Sequence, residues 1–65
     1  SLKVERIRKG IASLADGYRL ILSLHLFEGY DYDEIAALVG IAASTVRSQY
    51  VRAKTKLLEK IGTHG

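Results

Sequence analysis

The sequence predicts an all-α fold: a small domain of four helices, the last two meeting at a sharp corner as a helix-turn-helix, with no β-wing. Three observations carry that expectation. Apolar residues recur at steps of three and four, and β-branched residues never alternate over a strand's length. No proline interrupts the 65 residues. An acidic start signal and a glycine stop signal bracket a very short third helix.

The first helix is expected over about Leu2 to Leu14, where Val4, Ile7, Ile11 and Leu14 share one face. Gly10 weakens its middle by about 1 kcal/mol relative to alanine. Ala15-Asp16-Gly17 forms the first break, with Asp16 a candidate N-cap. The second helix, about Gly17 to Glu28, carries Tyr18, Leu20, Ile21, Leu22, Leu24, Leu26 and Phe27, and so is apolar on nearly every side. Such a helix either runs through the centre of the bundle or leaves apolar surface for a partner. Gly29 suits a left-handed C′ position and ends it.

Asp31-Tyr32-Asp33-Glu34 reads as a capping box: Asp31 can accept from the N–H of Glu34, and Glu34 can reach back. The third helix is expected over Tyr32 to Val39 with Ile35, Ala36 and Val39 inward, closed by Gly40. The fourth, about Ala43 to Ile61, sets Val46, Tyr50, Ala53, Leu57 and Ile61 on one face. Residues 62–65 read as a frayed end. No repeat, linker or low-complexity segment divides the chain, so a single domain over 1–65 is expected, with helices at about 2–14, 17–28, 32–39 and 43–61. Serine in place of methionine at position 1 suggests a piece of a longer protein.

Composition excludes several function classes. With 48% apolar and 26% charged residues the chain is globular in type. It has no cysteine, hence no disulfide and no thiolate chemistry. No apolar run approaches the roughly 20 residues of a membrane span, and no signal-peptide pattern opens the chain. The net charge of +3 is unevenly spread. Lys3, Arg6, Arg8 and Lys9 make residues 1–14 basic, and five acids against Arg19 make residues 15–40 acidic. Arg47, Arg52, Lys54, Lys56 and Lys60 against Glu59 then give the last stretch a net +4. That last stretch is either a polyanion-facing element or a solvated, lysine-rich helix face.

The corner decides between them in favour of the first. Ala36 is small where the two helices would cross, Gly40 takes the turn, and Ile41 and Val46 plug the angle. The fourth helix then turns Ser44, Arg47, Ser48, Val51, Arg52 and Thr55 away from its core stripe. Arginines near the N-terminus of such a helix suit base edges and flanking phosphates in a major groove. Tyr50, at core spacing, is packing. His25 and His64 share no ligand spacing with any acid, so no metal site is expected. Asp33 and Glu34 are explained by capping rather than acid–base work, since nothing supplies a nucleophile or a deep pocket. No enzyme, cofactor or small-molecule substrate is expected.

The run Gly29-Tyr30-Asp31-Tyr32-Asp33-Glu34-Ile35-Ala36-Ala37-Leu38-Val39-Gly40-Ile41, followed by Ser44-Thr45-Val46-Arg47-Ser48-Gln49-Tyr50-Val51-Arg52-Ala53-Lys54, closely resembles the fourth domain of bacterial sigma factors. The extracytoplasmic-function type is the group it looks most like. Tyr18-Arg19, Leu24 and Gly29 fit the same pattern, so the resemblance covers roughly residues 3–61. It implies a cytoplasmic domain that docks on the minus-35 element of promoter duplex DNA. It further implies contact with the β flap of the RNA polymerase core and, in many such factors, with an inhibitory anti-sigma protein. Carried over residue by residue, Ser44, Arg47, Ser48, Val51, Arg52 and Lys54 belong to the DNA-facing recognition helix. Tyr32 and His25 match positions that often touch phosphate. Leu22 and Leu26, from the apolar excess of the second helix, are the expected partner surface.

The chain departs from the family pattern at several positions. Ala42 stands where serine or threonine usually caps the recognition helix, and Ser44 where glycine is frequent. Gln49 replaces a frequent basic residue, Ala15 a usual proline, and Leu26 a polar residue. Two other readings compete. A LuxR-type response-regulator effector domain shares the Thr45-Val46-basic core. A protein-interaction bundle that never touches nucleic acid would explain Leu20, Leu22 and Leu26.

Overall fold

The computed structural model describes residues 2–62, the side chain of Leu2 excepted. The expected frayed end beyond Gly62, His64 included, lies outside the described residues. Four helices follow one another: α1 (Leu2–Ala12), α2 (Asp16–Leu26), α3 (Tyr32–Val39) and α4 (Ala43–Lys60). Among the described residues there is no strand.

Each boundary has a local cause. After Ala12 the chain tightens: the Ser13 hydroxyl donates to the Gly10 carbonyl at 2.7 Å, and the Leu14 N–H donates to Ile11 at 3.1 Å. Leu14 thus sits just past the helix yet remains buried. The α2–α3 connection turns at Gly29, whose φ of 78° is one that a side chain rarely adopts. The Tyr30 N–H reaches back to the Leu24 carbonyl at 3.1 Å across that turn. At the start of α3 the capping box is closed both ways. The Glu34 N–H donates to Asp31 Oδ1 at 2.8 Å, and the Asp31 N–H donates to Glu34 Oε1 at 2.9 Å. Gly40, at φ 83°, ends α3, and the N–H groups of Gly40 and Ile41 both donate to the Ala36 carbonyl, as a left-handed helix stop allows.

Two apolar clusters share the interior. Ile11, Leu14, Leu22, Ala53 and Leu57 join α1, α2 and the later half of α4, with Ile7, Tyr18 and Ile61 against them. Ile21, Ile35 and Val46 join α2, α3 and the first turns of α4, packed by Leu24, Ala36, Val39 and Ile41. Tyr50 touches both clusters and so links the corner to the rest of the bundle. No side chain among the described residues is both polar and buried. Gly10 is explained by packing: a Cβ there would lie 2.7 Å from Leu57 Cδ1 and 2.9 Å from Ile61 Cγ2. Its cost to helix propensity is what the close approach of α1 to α4 requires.

Three expectations are corrected. Asp16 does not cap α2. Ala15 holds the N-cap position without a side-chain bond, and Asp16 is the first helical residue, its carboxylate paired with Arg19. Val4 keeps the spacing of Ile7 and Ile11 but is 47% exposed. The reason is position, since it lies about 9 Å along α1 before the crossing at Gly10. Leu22, expected on a partner surface, is 0% exposed at the centre of the α1–α2–α4 cluster and cannot reach a partner.

Ala42 holds the N-cap position of α4 with extended backbone (φ −71°, ψ 148°) and no side-chain bond to the helix. A hydroxyl in that backbone geometry would satisfy an orphan N–H of the first turn. Ala42→Ser is therefore expected to stabilise the fold by about 0.5–1 kcal/mol, read as a raised urea midpoint at unchanged slope. A lowered midpoint would mean that the first-turn N–H groups are already satisfied.

Candidate nucleic-acid interface

The face that α4 turns outward is built by its register. With Val46, Ala53 and Leu57 buried below, the side chains of Ser44, Arg47, Ser48, Val51, Arg52, Lys54 and Thr55 are all exposed. Ser44, Ser48, Val51 and Thr55 form the crest of the helix. Arg47 and Arg52, five residues apart, flank that crest on opposite sides, about 140° from one another. They therefore do not share one face, and a duplex lying along the crest would meet them from two directions. No acid occurs in α4 before Glu59, so nothing on this face repels a polyanion. The Thr55 hydroxyl is turned back onto the Val51 carbonyl at 3.0 Å.

The N-terminal turns of α4 are aimed by the corner. Left-handed Gly40 reverses the chain, Ile41 folds under it, and fully buried Val46 and Ile35 fix the angle between α3 and α4. Tyr32 and His25 come together beside this angle in a cluster that sequence spacing did not disclose. The His25 ring lies 5.3 Å from that of Tyr32 and 4.9 Å, edge to face, from that of Tyr50, and Tyr32 lies 5.6 Å from Tyr50. These separations are those of interacting rings. His25 Nδ1 is 2.8 Å from the Tyr30 carbonyl. A carbonyl only accepts, so Nδ1 donates, and any anion contact by His25 falls to Nε2 with the ring in its cationic form. Arg47 lies over the Tyr32 ring, its Cζ 5.8 Å from the centroid.

The second exposed feature is apolar. Leu20, Leu24, Leu38 and Val39, with Ser23, Glu28 and Tyr30, line an open groove of about 630 Å³ between α2 and α3. Leu20 and Leu38 are 46% and 59% exposed at its rim. Leu26 is 47% exposed but lies outside this groove, next to Phe27, whose ring is covered by the Arg8 guanidinium at 5.0 Å. Among the described residues no three His, Asp or Glu side chains converge as metal ligands. No described helix is long and apolar enough to cross a membrane.

Comparison with known proteins places this geometry. The family described as "Sigma-70, region 4" matches residues 4–57, a span that takes in the whole corner and most of α4. The chain belongs to that family. Region 4 domains are DNA-binding regulatory modules, not enzymes, and act on promoter DNA in concert with RNA polymerase. A curated relative, the "Positive control factor" of Bacillus subtilis (strain 168), is 38% identical over 53 residues. The match covers 82% of this chain but only 31% of the relative, so the chain spans about a third of that protein. No solved structure matches the chain significantly.

Proposed function

We propose that this region 4 domain reads the minus-35 element of promoter DNA through the N-terminal half of α4, as part of a sigma factor of the extracytoplasmic-function type. The observation that carries the reading is the outward face of α4. It is wholly exposed, flanked by Arg47 and Arg52, free of acids before Glu59, and held by the Gly40 corner over a buried Ile35–Val46 contact. The polar crest suits base edges and the flanking guanidinium groups suit base edges and flanking phosphates, with Lys54 at the side for phosphate. In this reading Tyr32 and His25, clustered beside the corner, meet the backbone of the same duplex.

In the same reading, the groove rimmed by Leu20 and Leu38, together with exposed Leu26, meets the RNA polymerase β flap or an anti-sigma protein. The adaptor bundle without DNA contact shares that surface, but it leaves the acid-free cationic face of α4 without a role.

One recognition helix with few cations neutralises about four to six phosphates, so duplex binding by this chain should be weak, with Kd on the order of 10⁻⁴–10⁻⁶ M at physiological salt. The slope of log K against log salt should be roughly −4 to −5, at about 0.9 per phosphate. Anisotropy titrations at several salt concentrations measure both. A slope near zero would remove the electrostatic mechanism, and absence of binding at low salt would favour the adaptor.

A further inference from the structure

We propose that Tyr32 is a positioning residue: its ring holds the Arg47 guanidinium over the recognition face and makes Arg47, rather than Arg52, the arginine that determines sequence preference. The inference rests on the reading that α4 meets DNA. The ring is anchored from three directions. Its backbone opens α3 inside the closed capping box, between Asp31 and Glu34. His25 stands 5.3 Å away on α2, itself tied by Nδ1 to the Tyr30 carbonyl, and Tyr50 stands 5.6 Å away on α4. The ring is thus in contact with side chains of α2 and α4 as well as being carried by α3.

Arg47, with Cζ 5.8 Å from the ring centroid, is within cation–π reach. A guanidinium stacked face-on to a ring leaves its in-plane N–H donors free, the edge that pairs bidentately with guanine O6 and N7, and the proposed role gives Arg47 that orientation. The long side chain is thus ordered before DNA arrives, which lowers the entropy lost on binding. Arg52 has no ring or carboxylate partner among the described residues. On the other flank of the crest it is an exposed cation suited to phosphate, which demands no fixed orientation. The Tyr32 hydroxyl has no part in this role, which belongs to the ring alone.

The test uses the 65-residue chain and a duplex enriched by the wild-type chain from a randomised pool, with a scrambled duplex as reference. The ratio of the two affinities measures selectivity. Tyr32→Phe should keep that ratio, and Tyr32→Leu should lower it about two- to fivefold, the range that an exposed cation–π contact supports. On an Arg47→Ala background, Tyr32→Leu should lower it no further. In the free chain, NMR should show the Arg47 Cδ protons shifted upfield by the ring, with the shift kept in Tyr32→Phe and lost in Tyr32→Leu. Equal losses for Tyr32→Phe and Tyr32→Leu on both duplexes would overturn the proposal in favour of a hydroxyl–phosphate contact, while leaving α4 as the DNA reader. A selectivity ratio unchanged by Arg47→Ala but lowered by Arg52→Ala would overturn the proposal while leaving α4 as the reader. A ratio and affinity unchanged by either would overturn both readings, and the missing ring shift would overturn the platform alone.

Discussion

Leu22→Ala is expected to cost about 2–5 kcal/mol of stability, because the truncated side chain leaves a cavity where α1, α2 and α4 meet and no neighbour can fill it. In a domain of this size the whole core supplies only about 3–5 kcal/mol, so the variant should be largely unfolded at room temperature by circular dichroism. Four residues on, in the same helix, Leu26 is nearly half exposed. Leu26→Glu should therefore shift stability by no more than about 0.5 kcal/mol. If the polymerase or an anti-sigma protein docks on this side, the same folded variant should bind it more weakly. A folded Leu22→Ala with an unchanged urea midpoint would contradict the packing described here. Loss of helix in Leu26→Glu would place that residue in the core instead.

The contrast between these two leucines marks what the sequence could and could not disclose. Local chemistry was legible. Asp31 and Glu34 form their reciprocal bonds within four residues, Gly40 is left-handed where a corner needs it, and Ala42 stands uncapped where a hydroxyl was missing. The core stripe of α4 was legible too, since Val46, Ala53 and Leu57 keep one helical phase among polar neighbours. The second helix carried no such phase. With leucine or isoleucine on every side, periodicity could not say that Leu22 faces inward while Leu20 and Leu26 face out. That choice is made by α1 and α4 packing against it.

At Asp16, residue type suggested a cap, but the helix begins one residue earlier and the carboxylate pairs with Arg19 instead. The aromatic cluster was illegible for a related reason. His25, Tyr32 and Tyr50 come from three helices, and only the tertiary fold stacks their rings and lays Arg47 against one of them. Gly10 looked like a weakness in α1 and is a point of contact with α4.

Arg47→Ala and Arg52→Ala are both expected to weaken binding to an enriched duplex, whereas Lys60→Ala is not. A recognition helix enters a groove by its N-terminal turns. Lys60, the last residue of α4, lies about 20 Å further along the helix than Arg47. All three substitutions remove one positive charge, so a difference among them reports position rather than net charge. A bidentate arginine–guanine pair is worth about 1–3 kcal/mol of discrimination, roughly five- to more than a hundredfold in affinity ratio. That loss should fall on Arg47→Ala and be confined to one base position. Arg52→Ala should lower affinity on enriched and scrambled duplexes alike and flatten the salt slope by about 1, the signature of a lost phosphate contact.

The affinities of these three variants for the enriched and the scrambled duplex, measured at one salt concentration, test most directly the claim that the N-terminal half of α4 reads DNA. The account predicts a collapsed selectivity ratio for Arg47→Ala, a preserved ratio at lower affinity for Arg52→Ala, and wild-type behaviour for Lys60→Ala. Three indistinguishable variants would contradict it.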